Sequence, residues 1–117
     1  MKFNFDWHII EIQRIDKRVF VTKNMITLGE YANKLLGNPK KIFIGFDENE
    51  KAFALKKSEN GFTVNHTQNH HRLFNKNLCE RIFELIGENI AKGKRLTFNV
   101  LESDDKTYII LKREVAV

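Results

Sequence analysis

The chain of 117 residues holds one cysteine, Cys79, and one proline, Pro39. A single cysteine excludes an internal disulfide and any multi-cysteine zinc site, and it fits a reducing compartment. No apolar run exceeds four residues, whereas a membrane-spanning helix needs about 20. No apolar stretch follows the basic start as a signal peptide would require. Phosphate loops, dinucleotide fingerprints and nucleophile elbows are missing as well. These absences exclude a secreted disulfide knot, a helical membrane protein and a large enzyme, and they point to a cytoplasmic location.

What is present suits one folded domain spanning 1–117, because single domains commonly run about 100–150 residues. Leu, Ile, Val and Phe make up 38 of the 117 residues, well above the roughly 20% below which chains stay disordered. Twenty Lys and Arg stand against fifteen Asp and Glu, a net charge of +5. Lys, Asn, Ile and Phe are also the residues that A- and T-rich codons favour, so the positive balance carries less functional weight than its size suggests.

Phe3, Phe5, Trp7 and Ile9 alternate with Asn4, Asp6 and His8, the period of a strand with one buried face. The phase breaks at Ile10, where a bulge would turn the strand. Asp16 and Lys17 suit a turn, and Val19 to Lys23 reads as the returning strand. ITLGEYANKLLGNP predicts a helix over 28–36. Thr27 and Glu30 form its capping box and Ile26 with Tyr31 its staple, and Gly37-Asn38-Pro39 stops it. KIFIGFDENEKAFALKK then predicts a hairpin, and Asn60-Gly61 turns the chain into a short strand, Phe62 to Val64. Residues 65–75 read as a polar loop. Leu78, Ile82, Leu85, Ile86 and Ile90 recur at helical spacing, with Asn77 as cap, Glu80 as its capping-box partner and Gly93 as stop. LTFNVLES and TYIILKRE close the chain as a second hairpin around Ser103–Lys106. Two helices and about seven strands without regular alternation predict an α+β fold, a small mostly antiparallel β-barrel.

Chemistry is sparse. His66 and His70 are four apart, a spacing that would ligate zinc on a helix, but no helix, third carboxylate or HExxH pattern accompanies them. A metal-dependent hydrolase using His66, His70 and His71 is therefore the weakest reading, and neither metal nor cofactor is expected. The loop lacks acids and carries Arg72 and Lys76, so an anion is its natural ligand. Basic residues pair off at Lys17-Arg18, Lys40-Lys41, Lys56-Lys57, Lys94-Arg95 and Lys112-Arg113, each near a strand end where a barrel would gather them along one rim facing phosphates. Edge lysines that discourage aggregation are the competing explanation. Phe43, Phe53, Phe83 and Phe98 read as core; Phe62, Phe74 and Tyr108 are candidates for base stacking. Cys79 reads as a small core side chain, and no catalytic residue is assigned.

The order of an aromatic first strand, the block ITLGEYANKLLGNPKKIFIGFDENEKAFALKK, a His/Asn loop, a second helix and a closing hairpin resembles the PrgU-like family. These are small proteins of pheromone-inducible conjugative plasmids. The resemblance implies a PUA-like barrel and a regulator that restrains transcripts of conjugation and surface-adhesin genes by binding RNA. The glycine-rich signature of PUA domains is missing here. Over about 35 residues, VTKNMITLGEYANKLLGNPKKIFIGFDENEKAFALKK also looks like the strand–helix–hairpin unit of AbrB-type DNA-binding dimers, with Gly29 where that family usually has proline. RNA is thus the expected partner and DNA the less favoured one. The candidate contacts are Lys17, Arg18, Lys40, Lys41, Lys56, Lys57, His66, His70, His71, Arg72, Lys76, Lys94 and Arg95. A protein-interaction module whose charge only keeps it in solution is the remaining alternative.

Overall fold

The computed structural model describes residues 2–3, 17–67, 70–89 and 93–113. The expected first strand, beyond Phe3, and the bulge near Ile10 lie outside them. Eleven elements follow one another: β1 (Arg18–Val21), β2 (Met25–Thr27), α1 (Gly29–Leu35), β3 (Lys41–Asp47), β4 (Ala52–Lys57), β5 (Phe62–Thr63), β6 (Asn65–His66), β7 (His71–Phe74), α2 (Lys76–Ile86), β8 (Leu96–Glu102) and β9 (Ile109–Arg113).

The strands form one antiparallel sheet in the order β5-β3-β4-β9-β8-β1-β2-β7-β6. Its first and last members, β5 and β6, are separated in the chain only by Val64. The sheet therefore curls until one continuous segment, Phe62 to His66, serves both ends of the order. The result is a nearly closed barrel. Closure needs the Asn60-Gly61 turn to run tight against β3. A Cβ on Gly61, whose φ is +145°, would collide with the Ile42 carbonyl, so only glycine fits there.

Alternation fills the interior. Val19, Val21, Ile26, Ile42, Phe53, Leu55, Leu73, Leu96, Phe98, Ile109 and Leu111 point inward and are buried. Phe53 and Phe98 meet edge to face with centroids 4.9 Å apart, the arrangement aromatic quadrupoles prefer. The helices close the two ends of the barrel. α1 links the end of β2 to the start of β3 and packs on β1 and β7. α2 links β7 to β8, packs on β2 and β4, and inserts Leu78, Cys79, Ile82, Phe83 and Leu85 into the core. Burial pushes the Cys79 thiol up to about 11, which keeps it protonated and unreactive.

Several local expectations are corrected. Thr27 does not cap α1: it pairs with Arg72 in the β2–β7 ladder, and Leu28 occupies the cap position with no side-chain hydrogen bond. The stop is as expected, with Gly37 and Asn38 both at positive φ ahead of Pro39. α2 is capped by Asn75, whose side chain accepts from the Leu78 amide at 3.0 Å, rather than by Asn77. It ends at left-handed Gly87, a turn and a half before Gly93. Segment 65–75 is not a plain loop. It contains the β6–β7 hairpin, in which His71 and Leu73 face inward.

Candidate functional site: an aromatic groove and a cationic barrel end

β3 reads KIFIGFD, apolar on both faces. With Ile42, Ile44 and Phe46 turned to the interior, period-2 geometry turns Lys41, Phe43, Gly45 and Asp47 outward. Phe43, expected in the core, is 51% exposed. It lies directly opposite Lys56 of β4, and Gly45 lies opposite Ala54. Ala54 pairs in turn with Ile110 of β9, and Ile110 with Leu101 of β8. Gly45 and Ala54 project almost nothing above the sheet. Between Phe43, Leu101 and Tyr108 this leaves a groove of about 720 Å³ on the outside of the barrel. Tyr108 and Leu101 are 37% and 50% exposed. Lys56 lies along the groove, and Asp47 and Glu50 line the far side, where Lys112 donates to Glu50 at 3.3 Å.

The basic pairs divide between the barrel ends. Lys17-Arg18 precedes and opens β1, Lys40-Lys41 opens β3, Lys56-Lys57 closes β4, and Arg72 sits early in β7. All four lie at the α1 end: the Lys17 ammonium stands 5.2 Å from the Tyr31 ring centre of α1, and Lys57 reaches toward Gly37. No ion pair among the described residues joins Lys40, Lys41, Lys56 or Lys57 to a carboxylate.

Lys76, Lys94-Arg95 and Lys112-Arg113 belong to the α2 end. Here acids intervene: Glu88 accepts from both Lys94 and Arg113 at 2.5 Å, and Glu48 pairs with Arg81. Arg95 lies over Phe20 at 4.2 Å from the ring centre. The hydrogen bonds from Lys94 and then Arg113 hold the Glu88 carboxyl down at about 2. A depressed carboxyl contributes its stability above its ordinary value of 4.5 and loses it only as pH falls through about 2. The deficit in stability caused by Glu88→Gln should therefore be present near pH 7 and shrink as pH falls from about 4.5 to about 2, read by urea denaturation at several pH values.

His66, His70 and His71 do not converge on a metal site. No group of three or more His, Cys, Asp or Glu among the described residues could hold one. His70 is exposed in the β6–β7 turn, where its carbonyl accepts from the Thr67 amide at 2.8 Å. His66 and His71 face each other instead, Nδ1 to Nδ1 at 2.7 Å. His66 Nε2 lies 2.6 Å from the Pro39 carbonyl and His71 Nε2 lies 2.8 Å from Glu30 Oε1.

Two participants escaped sequence reasoning. Phe43 was hidden because both faces of its strand are apolar. The signal for it was available, since alternation forces one of the two apolar sets of KIFIGF outward. Glu30, read as half of a capping box, left no trace of its partnership with a histidine 41 residues away. No helix is long and apolar enough to cross a membrane. The class defined by this geometry is a nearly closed antiparallel barrel, stoppered by two helices, with a cationic end beside an aromatic groove. No protein-family model matches the chain, nor does any curated protein or solved structure.

Proposed function

We propose that the protein is a non-enzymatic, cytoplasmic regulator that binds single-stranded RNA across the β3–β4–β9–β8 face. The observation that carries this reading is Phe43, half exposed, with Lys56 directly across from it and Lys41 two residues along the same outer face. Unstacked bases lie on such rings for about 1–3 kcal/mol each. Phosphates between them are drawn by lysines that make no ion pair with a carboxylate among the described residues. A shallow sheet face with exposed rings suits splayed bases better than a duplex, whose bases are already stacked. On this reading the barrel is PUA-like, and the chain acts as PrgU-like proteins do, restraining transcripts of conjugation and surface-adhesin genes. Lys94, engaged by Glu88, takes no part.

A titration of labelled single-stranded RNA and of duplex DNA at two salt concentrations tests it. RNA binding that exceeds duplex binding and weakens steeply with salt is the expected result. Phe43→Ala should cost about 5- to 100-fold in RNA affinity, the equivalent of one stacked base, without unfolding an already exposed position. Tighter binding to duplex DNA would favour the AbrB-like alternative. Absence of binding to either polymer at low salt would refute the proposal. The groove would then belong to a protein contact, for which Lys56 on one side and Asp47 with Glu50 on the other supply polarity.

A further inference from the structure

We propose that His66 and His71 share one extra proton and that this proton clasps the barrel shut at the α1 end. The argument is a count of hydrogens. The Pro39 carbonyl can only accept, so the 2.6 Å contact places a hydrogen on His66 Nε2. The contact between His71 Nε2 and Glu30 Oε1 at 2.8 Å needs a second, and the 2.7 Å contact between the two Nδ1 atoms needs a third. Two neutral imidazoles and a carboxylate supply only two. All three bonds therefore form together when the triad of His66, His71 and Glu30 holds one proton more, which makes its net charge zero.

Both neighbouring states break the chain. With one proton fewer, two nitrogen lone pairs confront each other at 2.7 Å or an outer bond is given up. With one proton more on the imidazoles, two N–H groups point at one another. A charge alone inside the barrel end would be costly, since His71 is only 7% exposed, but Glu30 on α1 balances it.

The position of the clasp gives it its effect. His66 ends the segment that completes the barrel, and Pro39 leads into Lys40 and Lys41 of β3. The same seam is held by the Val64 amide donating to the Lys40 carbonyl at 2.9 Å and by short ladders of two residue pairs between β3 and β5 and between β6 and β7. Among the described residues, the charged and titratable groups around the triad include Lys40 after Pro39, Lys57 near Gly37, and His70 and Arg72 on either side of His71 in sequence. Arg72 occupies the outward phase of β7, in register with Asn65 and Thr27. Of the two outer bonds the one to the neutral Pro39 carbonyl is weaker than the one to the Glu30 carboxylate, so loss of the shared proton frees Pro39 from His66 and loosens the segment that leads Lys40 and Lys41 into β3. Regulation of RNA binding by pH follows only if the function proposed above holds; the clasp itself does not depend on it.

The test is long-range ¹H–¹⁵N correlation of the histidine rings in the free protein between about pH 4 and 9, the range in which imidazoles titrate. The same samples report hydrogen exchange at the Val64 amide. The expected result is a pair that releases its protons in two separated steps. Val64 protection should be greatest between the steps and fall about tenfold beyond the second, as the loss of one hydrogen bond gives. His66→Gln, at an exposed position, should abolish the pH dependence of Val64 exchange, and His70→Gln should leave it intact. Two independent single-site titrations, or Val64 protection that ignores pH, would overturn the clasp. RNA affinity that stays flat with pH while the clasp titrates would remove only the coupling to the site, and absence of RNA binding would count against the function alone.

Discussion

Replacing Phe53 with Ala is expected to lower the unfolding free energy by about 3–5 kcal/mol, the range found for buried Phe truncations. Phe53 is 1% exposed and meets Phe98 edge to face, with Phe46 6.5 Å away between centroids. Its removal leaves a void that the barrel cannot collapse to fill, because each neighbour is held in a hydrogen-bonded ladder. A domain of this size is stable by only about 5–15 kcal/mol, so the variant should unfold at much lower urea with little change in the slope of its transition. Phe53 also lies beneath the groove. The same substitution should therefore weaken any ligand held by Phe43 and Tyr108 even under conditions where the fold survives, and urea denaturation together with RNA titration separates the two losses.

The second large effect concerns charge. Changing Lys40, Lys41, Lys56 and Lys57 together to Gln should lower RNA affinity by on the order of 100-fold at low salt. It should also flatten the plot of log affinity against log salt by about 3, since each phosphate contact to a single strand contributes about 0.7. The melting temperature should barely move, because exposed charges contribute little to stability. The matching change of Lys94 and Lys112 to Gln removes two charges that acids already hold and should leave the salt slope nearly untouched. Equal effects per charge removed would mean that binding follows net charge rather than the α1 end.

How much of this was legible beforehand depended on whether the deciding interaction was local. Gly37-Asn38-Pro39 announced the end of α1 because left-handed cap and proline act within three residues. The caps were less readable. Asn75 and Asn77 are equivalent on paper, and only the end of β7 at Phe74 selects the former. Thr27 satisfied every rule for a capping residue, yet its place in a ladder with Arg72, 45 positions away in sequence, withdrew it. His71 made 65–75 look like a solvated loop because a polar residue filled an inward strand position. Its partners, His66 and Glu30, had to be brought together by the fold before that position made sense. Of the site, the lysine pairs were visible, but which of them acids among the described residues would engage was not, since that depends on where Glu48, Glu50 and Glu88 come to rest.

Val64 stands alone between the strands at the two extremes of the sheet order. A single proteolytic nick at that residue would thus release the short strands that pair with β3 and β7 and lengthen the unpaired border on each side of the seam. Unpaired N–H and C=O groups of that kind template pairing with another molecule. A clipped population should then exchange strands between molecules or grow into fibrils, so the intact connection through Val64 protects against aggregation as well as completing the fold.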